Sequence, residues 1–207
     1  MSALLVLGAG GNGRVIADIA SDAGDWDRIA VLDDHQKAFE PDAHWEILGS
    51  CASLPEVASD FDALVIGFGD NTLRDEWFDR SRECGIEVAT IIARSASVSS
   101  RASLGPGTVV MPQAAVNIGV STGRCCLVNT GATIDHDCRL GDAVHVAPGA
   151  HLAGNVEVGD RTWIGIGASV RHGISVGCDV MVGAGAAVVL DLPDACSAMG
   201  VPARVRA

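Results

Sequence analysis

Basic charge is scarce in this 207-residue chain: 14 lysines and arginines stand against 26 aspartates and glutamates, for a net charge of -12 and a pI near 4.7. So acidic a chain has no general electrostatic grip on a phosphate backbone, which excludes non-specific nucleic-acid binding. Nor does any apolar run reach the roughly 20 residues of a membrane span. No basic leader precedes the apolar start, Ala3 to Leu7, which runs at once into glycines and so reads as a strand and not as a signal peptide. The seven cysteines include no C-x-x-C pair, and Cys125 and Cys126 are adjacent. That pattern suits neither a disulfide framework nor a zinc knuckle, and predicts small buried apolar residues in a reducing cytoplasm.

What is present is a globular composition, 48% apolar and 19% charged. Its acidity is uneven: residues 1–95 hold 7 basic and 18 acidic side chains (net -11), whereas residues 96–207 hold 7 and 8 (net -1). Two domains with those bounds are expected.

In the first, Leu4 to Leu7 is a short strand, Gly8-Ala9-Gly10-Gly11-Asn12-Gly13 a glycine turn, and Arg14 to Ala20 has helical spacing. A second strand, Ile29 to Leu32, ends in Asp33-Asp34, at the distance seen in dinucleotide-binding units. Glycines let a backbone approach a pyrophosphate, a helix N-terminus favours its charge, and a carboxylate accepts from ribose hydroxyls. A third strand, Ala63 to Ile66, leads into Gly67-Phe68-Gly69-Asp70-Asn71, a helix over 72–84 and the apolar stretch Ile86 to Ile92. This predicts one Rossmann-like (βαβαβ) half, without the second half of an NAD fold. A nucleotide-sugar site, a dinucleotide site and a purely structural glycine turn all satisfy the pattern.

In the second, every sixth residue from Val98 to Val188 is aliphatic at 15 of 16 positions, Thr122 being the exception. A six-residue period is neither helical nor a plain strand alternation, and fits a solenoid of short flat faces joined by turns. Small residues such as Cys126, Ala132, Cys138 and Ala150 stand four places on. Glycine often follows the aliphatic residue (Gly105, Gly123, Gly141, Gly159, Gly177), where it is expected to ease the turn. Three hexads make one coil of 18 residues, so Ile118, His136, Gly154 and His172 should stack in one column and Leu127, His145, Trp163 and Met181 in another. The reading is a parallel β-helix, left-handed by the behaviour of such repeats.

His136 stands between Asp135 and Asp137, a setting that can fix an imidazole tautomer and raise its basicity for general-base work. A solvated surface histidine is the plain alternative. Gly154, one coil on, can offer a backbone N–H as an oxyanion donor or simply turn the chain. His136, His145 and His151 could instead form a zinc set, which no cysteine pattern supports. His35 and His44 fall in a polar loop with no visible constellation.

Taken together, the chain resembles the sugar acyltransferases related to sialic acid O-acetyltransferase and to the N-acetyltransferases of bacterial 4-amino-sugar nucleotides. The residues that carry this are the glycine turn, Leu32-Asp33-Asp34, Gly69-Asp70-Asn71-Thr72-Leu73-Arg74, Asn129-Thr130-Gly131-Ala132, Asp135-His136-Asp137-Cys138, Ala153-Gly154-Asn155 and Gly200-Val201-Pro202-Ala203-Arg204. The resemblance implies acetyl-CoA-dependent N-acetylation of the C4 amine of a nucleotide-linked, perosamine-like 4-amino-4,6-dideoxy sugar, in O-antigen biosynthesis. O-acetylation of sialic acid or a related sugar is the alternative. It implies a cytoplasmic homotrimer without metal, with His136 and Asp137 catalytic and with His145, Gly154, Ile166 and Ala184 against acetyl-CoA. Gly10, Gly11, Asn12, Gly13, Asp33, Asp34 and Asn71 would then hold the nucleotide sugar, Asn12 replacing a histidine frequent in the family.

Overall fold

The computed structural model describes residues 2–35 and 45–206, and the chain divides into two compact units, Met1–Arg94 and Ser95–Ala207. The first alternates strands and helices: β1 (Ala3–Leu7), α1 (Gly11–Ala23), β2 (Arg28–Leu32), β3 (Glu46–Gly49), α2 (Leu54–Val57), β4 (Ala63–Ile66), α3 (Asn71–Glu83) and β5 (Glu87–Val88). All five strands run parallel in the order β3-β2-β1-β4-β5. β1 is buried along its whole length, which is why it reads as an unbroken apolar run.

The sequence pattern supplied three of these strands and the apolar stretch that holds β5, but missed β3, whose Glu-Ile-Leu-Gly is too short and too mixed to announce a strand. The sheet is therefore wider than a βαβαβ half. β1 lies between β2 and β4, so the chain switches direction across the sheet at the carboxyl ends of β1 and β4. In open α/β sheets that is where a crevice opens for a ligand.

The second unit is a parallel β-helix. Two-residue strands recur every six residues, and each pairs with the strand 18 residues further on: Leu127 with His145, Thr133 with His151, Arg139 with Glu157. The aliphatic residue of each hexad and the small residue two places before it point into one core, with Val128, Ile134, Val146, Cys126, Ala132 and Cys138 all essentially buried. The last coil is shorter, Met181 pairing with Ser197, and an antiparallel strand at Arg204–Arg206 closes the sheet. No disulfide joins any of the seven cysteines, four of which are buried. No helix among the described residues is long and apolar enough to cross a membrane.

The left-handed backbone falls three residues after the aliphatic position, not one, as at Gly119 (φ 75°), Cys125 (52°), Asp137 (59°), Ala143 (53°) and Arg161 (55°). The glycines directly after the aliphatic residue serve close approach instead. A Cβ on Gly141 would run into Asp160 Oδ1 of the next coil and lie 2.8 Å from the Asp160 nitrogen. That carboxylate is fixed, accepting the Asp142 N–H at 2.8 Å. Gly141→Ala is therefore expected to destabilise the β-helix by about 1–3 kcal/mol, as overpacking does. Thermal unfolding would register this as a fall of several degrees.

Candidate active site

His136 is set by the corner that follows the strand Thr133–Ile134. Its Nδ1 donates to Asp137 Oδ2 at 2.9 Å, and its backbone N–H donates to Asp135 Oδ1 at 2.8 Å. Asn117, one coil earlier, donates from Nδ2 to the same Asp135 oxygen at 2.9 Å. Asp137 can take this part because aspartate tolerates the left-handed conformation its corner demands, and because Gly119 in the preceding coil leaves room for its carboxylate.

The electrostatics follow. Hydrogen bonding to Asp137 raises the His136 imidazole above its ordinary value, with the charge on Asp135 adding to it. The His136 N–H and the Asn117 amide hold the Asp135 carboxyl below its own. With the proton fixed at Nδ1, the Nε2 lone pair of neutral His136 is available for proton transfer. Were His136 to act as a base it would do so only when neutral, and the rate that depends on it should then fall with acid through a value above that of free histidine. Asp137→Asn removes the anion that favours imidazolium, so this acid limb should move to lower pH, as a pH–rate profile would record.

The column expected from the 18-residue coil is present. A Cβ on Gly154 would stand 2.5 Å from both Nε2 and Cε1 of His136, so the ring edge lies directly over a position that has no side chain. The Gly154 N–H donates to no group among the described residues, while its carbonyl accepts from Gly173. A base and an unclaimed amide donor thus sit side by side.

His145, Ile166 and Ala184 do not join this cluster within one chain. His145 is 2% exposed, its ring 4.1 Å from that of Trp163. Asn129 Oδ1 accepts the Thr130 N–H, which leaves its Nδ2 to donate to His145 Nε2 at 3.0 Å. Ile166, 60% exposed, and Ala184 share a different corner, the one after the strands of the His145 sheet. His151 lies on yet another face, with Nδ1 2.9 Å from Thr133 Oγ1. Among the described residues no three groups are placed to hold a metal ion. Asn129 was legible only as part of a motif, because its 16-residue offset from His145 departs from the repeat.

In the first unit a crevice of about 560 Å³ opens at the switch point, lined by Gly10, Gly11, Asn12, Asp33, Asp34, His35, the Gly67–Asp70 loop, Leu73 and Trp77. Gly8 makes the turn (φ 92°), Gly10 and Gly11 leave the backbone bare, and Gly13 packs so closely that a Cβ would strike the Gly8 carbonyl. The expected residues divide. Gly13 and Asn71 are buried and do not line the crevice. Asp33 braces it, Oδ2 accepting from Ala9 N–H at 2.7 Å and Oδ1 from His35 N–H at 2.8 Å. Asp34 Oδ1 accepts from Cys51 N–H at 2.8 Å. Burial, with Asp34 and Asp33 beside it, pushes the Cys51 thiol up to about 12 and keeps it unreactive. His35, set aside in the sequence reading, is part of the wall, whereas His44 lies outside the described residues.

Comparison with known proteins places these features in context. The PglD N-terminal domain family matches residues 3–81. The UDP-N-acetylbacillosamine N-acetyltransferase of Bacillus subtilis (strain 168) is 35% identical over 114 residues, 52% of this chain and 50% of that protein, so the match spans half the length of this curated relative. The acetyltransferase domain of PglB from Neisseria gonorrhoeae FA1090, solved with acetyl coenzyme A, is 36% identical over 99% of this chain and 98% of its own, with a TM-score of 0.94. PerB from Caulobacter crescentus, solved with CoA and GDP-perosamine, is 35% identical over 100% of this chain and 98% of its own, with the same TM-score.

Proposed function

This chain belongs to the PglD-type family of nucleotide-sugar N-acetyltransferases, and from that premise we propose that it moves an acetyl group from acetyl-CoA to the C4 amine of a nucleotide-linked, perosamine-like 4-amino-4,6-dideoxy sugar. The observation that carries this reading is His136, held at Nδ1 by Asp137, with Nε2 over Gly154 and its unclaimed amide. Likeness to PerB along the whole chain supports the choice of an amino sugar over a hydroxyl acceptor.

The chemistry assigns a task to each group. The amine forms an N–C bond to the thioester carbon and the C–S bond breaks. His136 Nε2 takes the amine proton and returns it to the departing thiolate, while Gly154 N–H donates to the carbonyl oxygen as charge gathers there. Residues 1–95 hold the nucleotide sugar, with the bare backbone of Gly10 and Gly11 beside the diphosphate, and residues 96–207 hold acetyl-CoA. His145, Ile166 and Ala184 lie on other faces of the coil than His136, so a homotrimer, in which one copy lends these residues to the site of the next, fits their placement. Seven cysteines, four of them buried and none in a disulfide, suit a reducing cytoplasm.

Free-thiol release from acetyl-CoA, measured against UDP-, GDP- and dTDP-linked 4-amino-4,6-dideoxyhexoses with sialic acid as control, tests the assignment. Rapid release with one amino sugar is expected. Release with sialic acid alone would turn the assignment to O-acetylation, and silence throughout would overturn catalysis by this chain.

A further inference from the structure

Arg74 is the most deeply buried charged side chain described, at 2% exposure, and it sits in the first turn of α3, the end of a helix that favours the opposite charge. A placement that local electrostatics opposes needs a tertiary reason. Its Nη1 donates to Phe68 O at 3.1 Å and Gly69 O at 3.3 Å, with Asp70 O at 3.5 Å, and its Nη2 donates to Asn71 Oδ1 at 2.9 Å. Three consecutive carbonyls are thus drawn to one guanidinium on the inner side of the loop.

A trans peptide is planar, with its N–H opposite its carbonyl. Drawing in the carbonyls of Phe68 and Gly69 therefore turns the N–H groups of Gly69 and Asp70 the other way. Gly69 and Asp70 line the crevice, and neither amide donates to a group among the described residues. The Asp70 carboxylate, whose charge would repel an anion, is held by the Leu73 N–H at 2.8 Å. The loop is also closely packed: a Cβ on Gly67 would lie 2.6 Å from the Gly13 Cα, and one on Gly69 3.0 Å from Asn12 Nδ2.

We propose that Arg74 is a positioning residue that orients the Gly69 and Asp70 amides as donors to the diphosphate of the bound nucleotide. This rests on the nucleotide-sugar reading of the crevice. An acidic unit without a described lysine or arginine lining that crevice then has backbone donors for the phosphates. The reach and plane of the guanidinium are what the task needs, and an ammonium cannot span the same oxygens.

Calorimetric titration of the full chain with UDP, GDP and dTDP, and with the matching nucleosides, tests this. Arg74→Lys should weaken the preferred diphosphate at least tenfold and its nucleoside less than twofold, with the KM for acetyl-CoA unchanged. Equal weakening of both ligands, or of neither, overturns the proposal. Should Arg74→Lys fail to fold, Asp70→Pro set against Asp70→Ala asks the question again. Asp70 has φ -69°, which proline adopts, so the pair differ chiefly in the N–H. Asp70→Pro should bind diphosphate at least fivefold more weakly than Asp70→Ala, and equal binding overturns the proposal. A wild-type chain that binds no nucleotide would overturn the crevice reading itself, and the role of Arg74 with it.

Discussion

His136→Ala should lower kcat/KM for acetyl transfer by about 10²- to 10⁴-fold, the usual worth of a positioned general base. The fold should survive, because the ring is half exposed and its neighbours Asp135 and Gly154 keep their backbone bonds. Thermal unfolding would thus stay near that of the native chain. A neutral amine is already a good nucleophile, so the loss should lie toward the lower end of that range for an amino sugar and toward the upper end for a hydroxyl acceptor. The acid limb of the pH profile should disappear with the ring, and added imidazole should restore part of the rate. A variant within threefold of wild type from pH 6 to 9 would remove His136 from the mechanism.

Gly154→Ala is the more selective test, since it keeps every catalytic group and moves one of them. Gly154 lies outside the left-handed region, so alanine meets no backbone penalty there. Its methyl carbon, however, would arrive 2.5 Å from His136 Nε2 and Cε1, and the imidazole has to give way by about 1 Å. A displacement of that size costs on the order of 10²-fold in rate. The Asp137 hydrogen bond should weaken with it, shifting the acid limb downward as in Asp137→Asn. In a double variant with His136→Ala the added methyl group should cost little more, because the two changes act through one ring. Full additivity would mean that Gly154 acts independently of His136.

Much of this site is legible in the residue order. Because the β-helix repeats every 18 residues, His136 falls over Gly154 and His145 beside Trp163 by counting alone. The glycine turn and the two aspartates after β2 likewise point to the crevice of the first unit. Counting fails wherever a partner departs from the period, as Asn129 does with His145. Nor does the period reach β3 in the first unit, whose Glu-Ile-Leu-Gly is too short and too mixed to announce a strand.

Sequence alone determined the repeat, its register and the chemical type of the groups, because in a solenoid the contacts that matter lie at a fixed spacing along the chain. Only the tertiary structure decided what each group is bonded to. Asp33 braces the glycine turn and Arg74 gathers a loop, while Gly141 makes room for a carboxylate one coil away. The physical reason is that a buried polar group must be satisfied by whatever donors and acceptors the fold brings to it, and those partners are set by distance in space.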